Sequence, residues 1–124
     1  MYGGRDYGSH VQDMIECCER IILFSRDASD QELLSEQTPL RGAVLHDLMI
    51  LGEAAKHVPS AWVSRYASIP WKRIAGMRDK IVHYYFGIDE EITLTTIRTS
   101  IPEVLPQLRS MLAEMDAERD GGAP

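Results

Sequence analysis

Residues 69–89, "IPWKRIAGMRDKIVHYYFGID", contain the pattern that decides the fold. Seven side chains in this stretch recur at three- and four-residue intervals, which places them on one face of an α-helix. They are Trp71, Ile74, Ala75, Arg78, Ile81, Val82 and Tyr85. Pro70 is favourable at the first helical position and Gly87 at a helix end, so we predict one helix between them. The face is apolar except at Arg78 and Tyr85, and this departure marks a candidate site.

The segments before this stretch also have helical spacing. Within residues 9–26 the apolar side chains recur at helical spacing, which predicts a helix with one apolar face. Ser29 and Glu32 have the spacing of a capping box, which predicts a short helix. A longer helix is expected to begin at Pro39 and to end at Pro59. Because this longer helix has two apolar edges, we expect it to lie at the centre of the protein.

The segment after the stretch predicts one further long helix. Asp89 is a suitable N-cap, and an apolar face continues as far as residue 115. Pro102 and Pro106 fall inside this helix and are expected to kink or break it. Since no segment alternates like a strand, we predict an all-α protein, an antiparallel bundle of four to five helices.

The composition is that of one globular domain. The chain has 124 residues, of which 44% are hydrophobic and 26% are charged, so we assign residues 1–124 to a single domain and residues 1–8 and 118–124 to flexible ends. Its two cysteines, Cys17 and Cys18, are adjacent and match no zinc or redox spacing. With no segment of signal-peptide or membrane-span type, we expect a cytoplasmic protein.

The charge is distributed unevenly. The net charge is -6, which argues against a protein that coats nucleic acid, and we expect neither DNA nor a membrane as a partner. Four of the 13 basic residues nevertheless lie close together in the opening stretch, at Lys72, Arg73, Arg78 and Lys80. A local basic site on an acidic body favours a protein that binds one phosphate region.

Arg78, His83 and Tyr85 are the strongest candidates for functional residues. Arg78 and Tyr85 are seven residues apart and share a helix face. His83 lies about 140° around the helix from Arg78, given ~100° per residue. The two side chains therefore do not converge well on one helix, and a second copy of the helix in a homodimer would bring them together.

This residue set suits RNA cleavage without a metal, because the 2′-hydroxyl of RNA is the nucleophile. The reaction needs proton transfer, which histidine provides, and positive charge against the phosphate, which arginine provides. Asp79 would either orient His83 or pair with Arg78. The alternative interpretation is a solvated helix face or an interface ion pair. Glu53 and His57 resemble half of a metal site, but no third ligand has matching spacing, so we predict no metal.

Several other positions have simpler interpretations. Gly52, inside the central helix, is expected to allow close approach of another helix. His10, His46 and Asp47 are expected to face solvent. Tyr84 is expected to pack.

Two segments resemble a known family. "LGEAAKHV" (residues 51–58) and "SIPWKRIAGMRDKIVHYYFGID" (residues 68–89) are similar to the HepT-like branch of the HEPN superfamily, and the resemblance covers residues 9–115. The ribonuclease signature of that family is an arginine, four residues, a histidine, one residue and a tyrosine. Arg78, His83 and Tyr85 match it. Asp79 differs, because the family commonly has asparagine after the arginine.

The resemblance implies a HEPN-type homodimer and a metal-independent endoribonuclease toxin of a type VII-like toxin–antitoxin system, with RNA as substrate and no cofactor. It implies that His83 is the general acid/base and Arg78 the phosphate clamp, with Asp79 and Lys80 in supporting roles. A minimal nucleotidyltransferase antitoxin would transfer AMP to Tyr85. Two alternatives remain open: a non-catalytic helical dimer that acts as an adaptor for a nucleotidyltransferase, and a nucleotide-binding bundle.

Overall fold

The computed structural model describes residues 6–121, and in this part of the chain it contains helices and no strand. The predicted all-α bundle is therefore confirmed. The elements in chain order are α1 (Tyr7–Ser25), α2 (Asp30–Leu34), α3 (Pro39–Ala55), α4 (Ser60–Arg65), α5 (Trp71–Tyr84), α6 (Glu90–Thr95), a π-helical segment (Thr96–Ser100) and α7 (Ile101–Gly121).

Local capping explains where several helices begin. The side chain of Asp6 accepts a hydrogen bond from the first turn of α1 at 2.8 Å. Ser29 and Glu32 form the predicted capping box of α2, with hydrogen bonds of 3.0 and 3.1 Å. Asp89 caps α6 as predicted, accepting from a backbone N–H at 2.8 Å. These contacts satisfy N–H groups that have no partner within the helix.

The boundaries of α3 and α5 differ from the prediction. Helix α3 ends at Ala55, before the predicted stop at Pro59, and residues 56–58 form a turn between the two. The chain instead turns and begins α4 directly after Pro59. Pro70 is the N-cap of α5, not its first residue, and α5 ends before Gly87 is reached.

Helix α4 was not predicted. It has only six residues, too few for a periodic pattern to be visible. Trp62 on α4 is buried in the core, and the guanidinium of Arg65 lies 4.0 Å from the centre of its ring. The helix is therefore stabilised by the burial of one large side chain.

The last helix is not broken at its prolines. A π-helical segment joins α6 to α7, in which the N–H of Ile101 donates to the carbonyl of Thr96, five residues back. Pro102 follows this segment and Pro106 lies within α7. The wider turn accommodates the missing proline donor, so the chain stays helical. The predicted apolar face is buried, at Ile97, Ile101, Val104, Leu108, Met111 and Met115.

Helix α3 lies at the centre, as predicted, and packs against α1 and α5, while α7 packs against α1. A Cβ atom at Gly52 would lie 2.5 Å from Cβ of Arg78 and 2.8 Å from the carbonyl oxygen of Ile74. The predicted close approach at Gly52 is confirmed, and it brings α5 and its Arg78 directly onto α3.

The expectation that Asp47 faces solvent is wrong. Asp47 is buried at the interface of α1 and α3, where its Oδ1 accepts a hydrogen bond from Nε of Arg20 at 3.0 Å and lies 2.9 Å from Nη2 of the same residue. A buried carboxylate is tolerated when a cation pairs with it. Arg20 on α1 is that cation, so the pair joins two helices of the bundle.

The ends of the bundle are longer than expected. Helix α1 begins at Tyr7, inside the segment 1–8, and α7 continues to Gly121, inside the segment 118–124. Residues 1–5 and 122–124 lie outside the described part. Within residues 6–121, no helix combines the length and the apolar character that crossing a membrane requires.

Candidate functional site

Arg78 lies on the face of α5 that contacts α3, opposite Gly52. Its side chain is half-buried, with 32% exposed. The Nε atom lies 3.3 Å from Oε1 of Glu53, but it is buried and makes no hydrogen bond, while Nη1 lies 3.2 Å from Oδ1 of Asp79. The guanidinium is thus held in place with one N–H donor still unsatisfied.

Asp79 interacts with cations on both sides. Its Oδ1 accepts from Nζ of Lys56 at 2.9 Å and from Arg78 at 3.2 Å. These hydrogen bonds, that from Lys56 first, lower the pKa of the Asp79 carboxyl. Of the two roles expected for Asp79, the structure contains the pairing with Arg78.

Glu53 links Arg78 to a pair of histidines. Its Oε2 lies 3.5 Å from Nε2 of His57, so the acid–imidazole pair is present. The ring of His57 stacks on that of His10 at 4.5 Å, so His10 packs against another ring instead of facing solvent alone. No group of three or more potential metal ligands lies within residues 6–121.

His83 is exposed near the end of α5. Its ring contacts that of Tyr84 edge-on at 6.3 Å. Among the described residues, no hydrogen bond links His83 to Arg78. Both residues lie on α5, five positions apart, so within one chain they are separated by about 140° around the helix.

Tyr85 is the first residue after α5 and rests on the beginning of α3. The guanidinium of Arg41 lies 4.9 Å from the centre of its ring and donates to its carbonyl oxygen at 2.6 Å. The hydroxyl lies 3.5 Å from the position that a Cβ atom would take at Gly42. No sequence signal identified Arg41, because its contact with Tyr85 spans two helices.

Tyr84 does not pack, contrary to the prediction. It is 65% exposed, more than Tyr85 at 38%, and Phe86 is 77% exposed. These side chains, together with Val82, form an exposed apolar surface at the end of α5. Surfaces of this kind commonly contact a partner.

The site combines two chemical capacities on opposite sides of one helix. A fixed guanidinium that remains partly exposed suits binding of a phosphate oxygen. An exposed imidazole suits proton transfer near neutral pH. Lys80, the other expected supporting residue, is exposed on α5 and lines a cavity between α5 and the helices that follow.

Comparisons with known proteins agree on one family. The model of the family described as "Ribonuclease HepT-like" matches residues 14–111. A protein named "Putative RNase" from Methanocaldococcus jannaschii is 30% identical over 92% of this chain and 93% of its own length. Another of that name, from Caldanaerobacter subterraneus, is 34% identical over 83% of this chain and 91% of its own length.

A third relative, from Thermococcus cleftensis, is named "Probable ribonuclease HepT" and is 33% identical over 81% of this chain and 90% of its own length. No solved structure matches at a significant level.

Proposed function

The chain belongs to the HepT-like ribonuclease family, and from this premise we propose that it is a metal-independent endoribonuclease, the toxin of a type VII-like toxin–antitoxin system. The observation that carries the proposal is the state of Arg78. Its guanidinium is held by Glu53 of α3 and by the neighbouring Asp79, and 32% of the side chain stays exposed. A phosphate oxygen is a suitable acceptor for a guanidinium that is fixed and accessible in this way.

The chemistry follows from the groups present. The 2′-oxygen of RNA attacks the adjacent phosphorus, the bond to the 5′-oxygen breaks, and the products are a 2′,3′-cyclic phosphate and a 5′-hydroxyl. His83 serves as general acid/base for the protons of these two oxygens. Arg78 stabilises the additional negative charge of the phosphorane. No step requires a metal or a cofactor.

The separation of Arg78 and His83 within one chain supports a homodimer in which the two motifs face a common cleft. In a symmetric dimer the end of α5 meets its own copy, so Arg78 of one subunit lies near His83 of the other. The exposed apolar surface formed by Val82, Tyr84, Tyr85 and Phe86 lies at this end of α5. Its burial would stabilise such a dimer.

Neutralisation would occur at Tyr85. A minimal nucleotidyltransferase antitoxin would bring ATP and magnesium, the phenol oxygen would attack the α-phosphorus, and pyrophosphate would leave. The partner must supply the base, because a protonated phenol is a poor nucleophile. The added nucleotide would place negative charge and bulk beside the cleft and exclude RNA.

The experiment that tests the ribonuclease is a comparison of two histidine variants. His83→Ala should lower the cleavage of bulk cellular RNA by about 10²–10⁴-fold, whereas His46→Ala, which removes an exposed histidine on α3, should cleave like the wild type. Both proteins should keep the wild-type melting temperature. Cleavage should persist in EDTA and leave cyclic phosphate ends. A folded His83→Ala protein with full activity, or activity that EDTA removes and magnesium restores, would contradict the proposal.

A second candidate is a non-catalytic adaptor for a nucleotidyltransferase. The observation that favours it is that two carboxylates, Glu53 and Asp79, already compensate the charge of Arg78. Wild-type protein that binds a nucleotidyltransferase but leaves all RNA intact would favour this candidate.

A further inference from the structure

A groove on the side of α5 away from Arg78 has no assigned role. It has a volume of about 780 Å³ and lies between α5 and the chain from α6 to α7. Lys72, Arg73 and Lys80 line the α5 wall, while Thr95 and Ser100 line the opposite wall. The floor is aliphatic and includes Leu48, Leu51, Met77 and Val104. The groove thus combines cations, hydroxyls and an apolar surface, with Asp89 and Glu91 as its acidic residues.

The cations of this groove differ from the other basic residues of the protein. Among the described residues, every other lysine and arginine pairs with a carboxylate or a backbone carbonyl. Lys72, Arg73 and Lys80 have no such partner in residues 6–121. Asp89 and Glu91 also line the groove, but neither forms an ion pair with these three cations, so the cations are available to an external anion.

Gly76 is a second, independent observation on the same wall. It lies between Arg73 and Lys80 in the interior of α5, where glycine is less favourable than alanine. Unlike Gly52, it has no protein atom within 4 Å of the position that a Cβ atom would take. Packing within the chain therefore does not explain this glycine, whereas an external molecule that approaches the helix backbone would.

We propose that this groove binds a nucleotide of single-stranded RNA that flanks the cleaved bond. The backbone phosphate would meet the cations, and the base would pack against Ile92, an exposed apolar residue of the lining. The proposal rests on the proposed function, because it takes RNA to be the substrate. Arg73 lies about 15 Å along the helix axis from His83, given ~1.5 Å per residue. The groove is thus a separate subsite and not the point of cleavage.

The position of the acidic residues sets the orientation of this nucleotide. Asp89 and Glu91 line the end of the groove near the start of α6. They would repel a phosphate at that end, so the phosphate belongs with Lys72 and Arg73 at the start of α5.

The size of the groove suits a nucleotide. Its volume of about 780 Å³ falls within the ~300–1,000 Å³ typical of small-ligand sites.

The test compares two triple variants of equal net charge in a His83→Ala background, which prevents cleavage during the measurement. The groove variant carries Lys72→Gln, Arg73→Gln and Lys80→Gln. The control carries Arg26→Gln, Arg109→Gln and Arg119→Gln, three exposed arginines outside the groove. Fluorescence anisotropy with a fluorescein-labelled single-stranded 10-mer RNA would give the Kd over a series of salt concentrations.

The groove variant should bind the RNA at least tenfold more weakly than the parent. Its salt dependence should be shallower by up to about 2 logarithmic units per decade, at ~0.7 per phosphate contact. The control should stay within about twofold of the parent. Equal loss in both variants would show that only net charge matters, and unchanged binding by the groove variant would also overturn the proposal.

Photocrosslinking provides a measurement that does not depend on the folding of the triple variants. RNA containing 4-thiouridine should crosslink to peptides from residues 72–80 or 92–104 of the His83→Ala protein. Crosslinks confined to other segments would overturn the proposal.

Failure of the groove and failure of the ribonuclease are distinguishable. If the groove triple, with His83 intact, cleaves RNA and binds it like the wild type, the groove proposal fails and the ribonuclease stands. If RNA binds through the groove but the wild-type protein never cleaves it, the ribonuclease proposal fails and the groove proposal stands. Loss of nucleotidyltransferase binding alone would identify a protein-docking surface and refute the RNA subsite.

Discussion

Arg78 shows how a charge is accommodated on an apolar helix face. The absence of a side chain at Gly52 lets α5 approach α3, and Glu53 beside it offers a carboxylate to the guanidinium. An unpaired charge at this depth would be unfavourable. The sequence marks Arg78 as unusual, but Glu53 as its partner depends on the packing of two helices and has no local signal.

Tyr85 is the residue at which we expect regulation to be decided. A cognate nucleotidyltransferase with ATP and magnesium should attach AMP to Tyr85 and abolish RNA cleavage. The Tyr85→Phe protein should not be modified with AMP and should still cleave RNA, because the nucleophilic oxygen is absent. Mass spectrometry of tryptic peptides, with the cleavage assay, would measure both effects.

Tyr84→Phe is the matched control for this prediction, since Tyr84 is the more exposed of the two neighbouring phenols. The Tyr84→Phe protein should be modified with AMP and lose RNA cleavage like the wild type. AMP found on Tyr84, or full silencing of Tyr85→Phe, would show that the modified residue has been misassigned or that the partner acts by binding alone.

Cys17 and Cys18 should be inert in the folded protein. Both are fully buried, and burial raises the pKa of each thiol to about 12. At pH 8 they should therefore not react with an aromatic disulfide reagent until the chain unfolds. In the unfolded chain the thiols titrate near ~8.5, so the free energy of unfolding should fall as the pH rises above that value. Rapid labelling of native protein at pH 8 would contradict this.

At the scale of the helix, two glycines, one on α3 and one on α5, should respond oppositely to substitution by alanine. Gly52→Ala in α3 places a Cβ atom 2.5 Å from Cβ of Arg78, so it should lower the free energy of unfolding by about 1–3 kcal/mol. Gly76→Ala in α5 meets no atom within 4 Å and should raise it by up to ~1 kcal/mol. Urea denaturation would measure both free energies of unfolding. A lower value for Gly76→Ala than for the wild type would contradict the prediction.

The elements that local sequence specifies were predictable, and those that depend on tertiary contacts were not. The capping residues Ser29 and Asp89 act within one turn, so their helices were predicted. Asp47 was misjudged because its partner, Arg20, lies on another helix. Helix α4 was missed because its stability comes from burying Trp62 and not from a periodic pattern.

The candidate site follows the same division. The spacing of Arg78, His83 and Tyr85 along α5 was visible in the sequence, and so was the angle that separates the first two. The contacts of Arg78 with Glu53 and of Tyr85 with Arg41 come from the packing of α3 against α5. Spacing along a helix identifies chemical groups, but only the bundle determines their neighbours.

At the scale of the whole molecule, the motif is divided between two sides of α5, and a composite site in a homodimer has a distinctive consequence. Arg78→Ala and His83→Ala should each be inactive alone. When they are mixed and allowed to exchange subunits, each mixed dimer contains one complete pair, Arg78 from one chain and His83 from the other. With random exchange half of the dimers are mixed, and each has one of two sites, so roughly a quarter of wild-type cleavage should return.

Light scattering would establish that the species is a dimer. The control is a mixture of each variant with the double variant, which should stay inactive. No recovery despite subunit exchange proven by mass spectrometry, or full cleavage by a monomer, would refute the shared cleft.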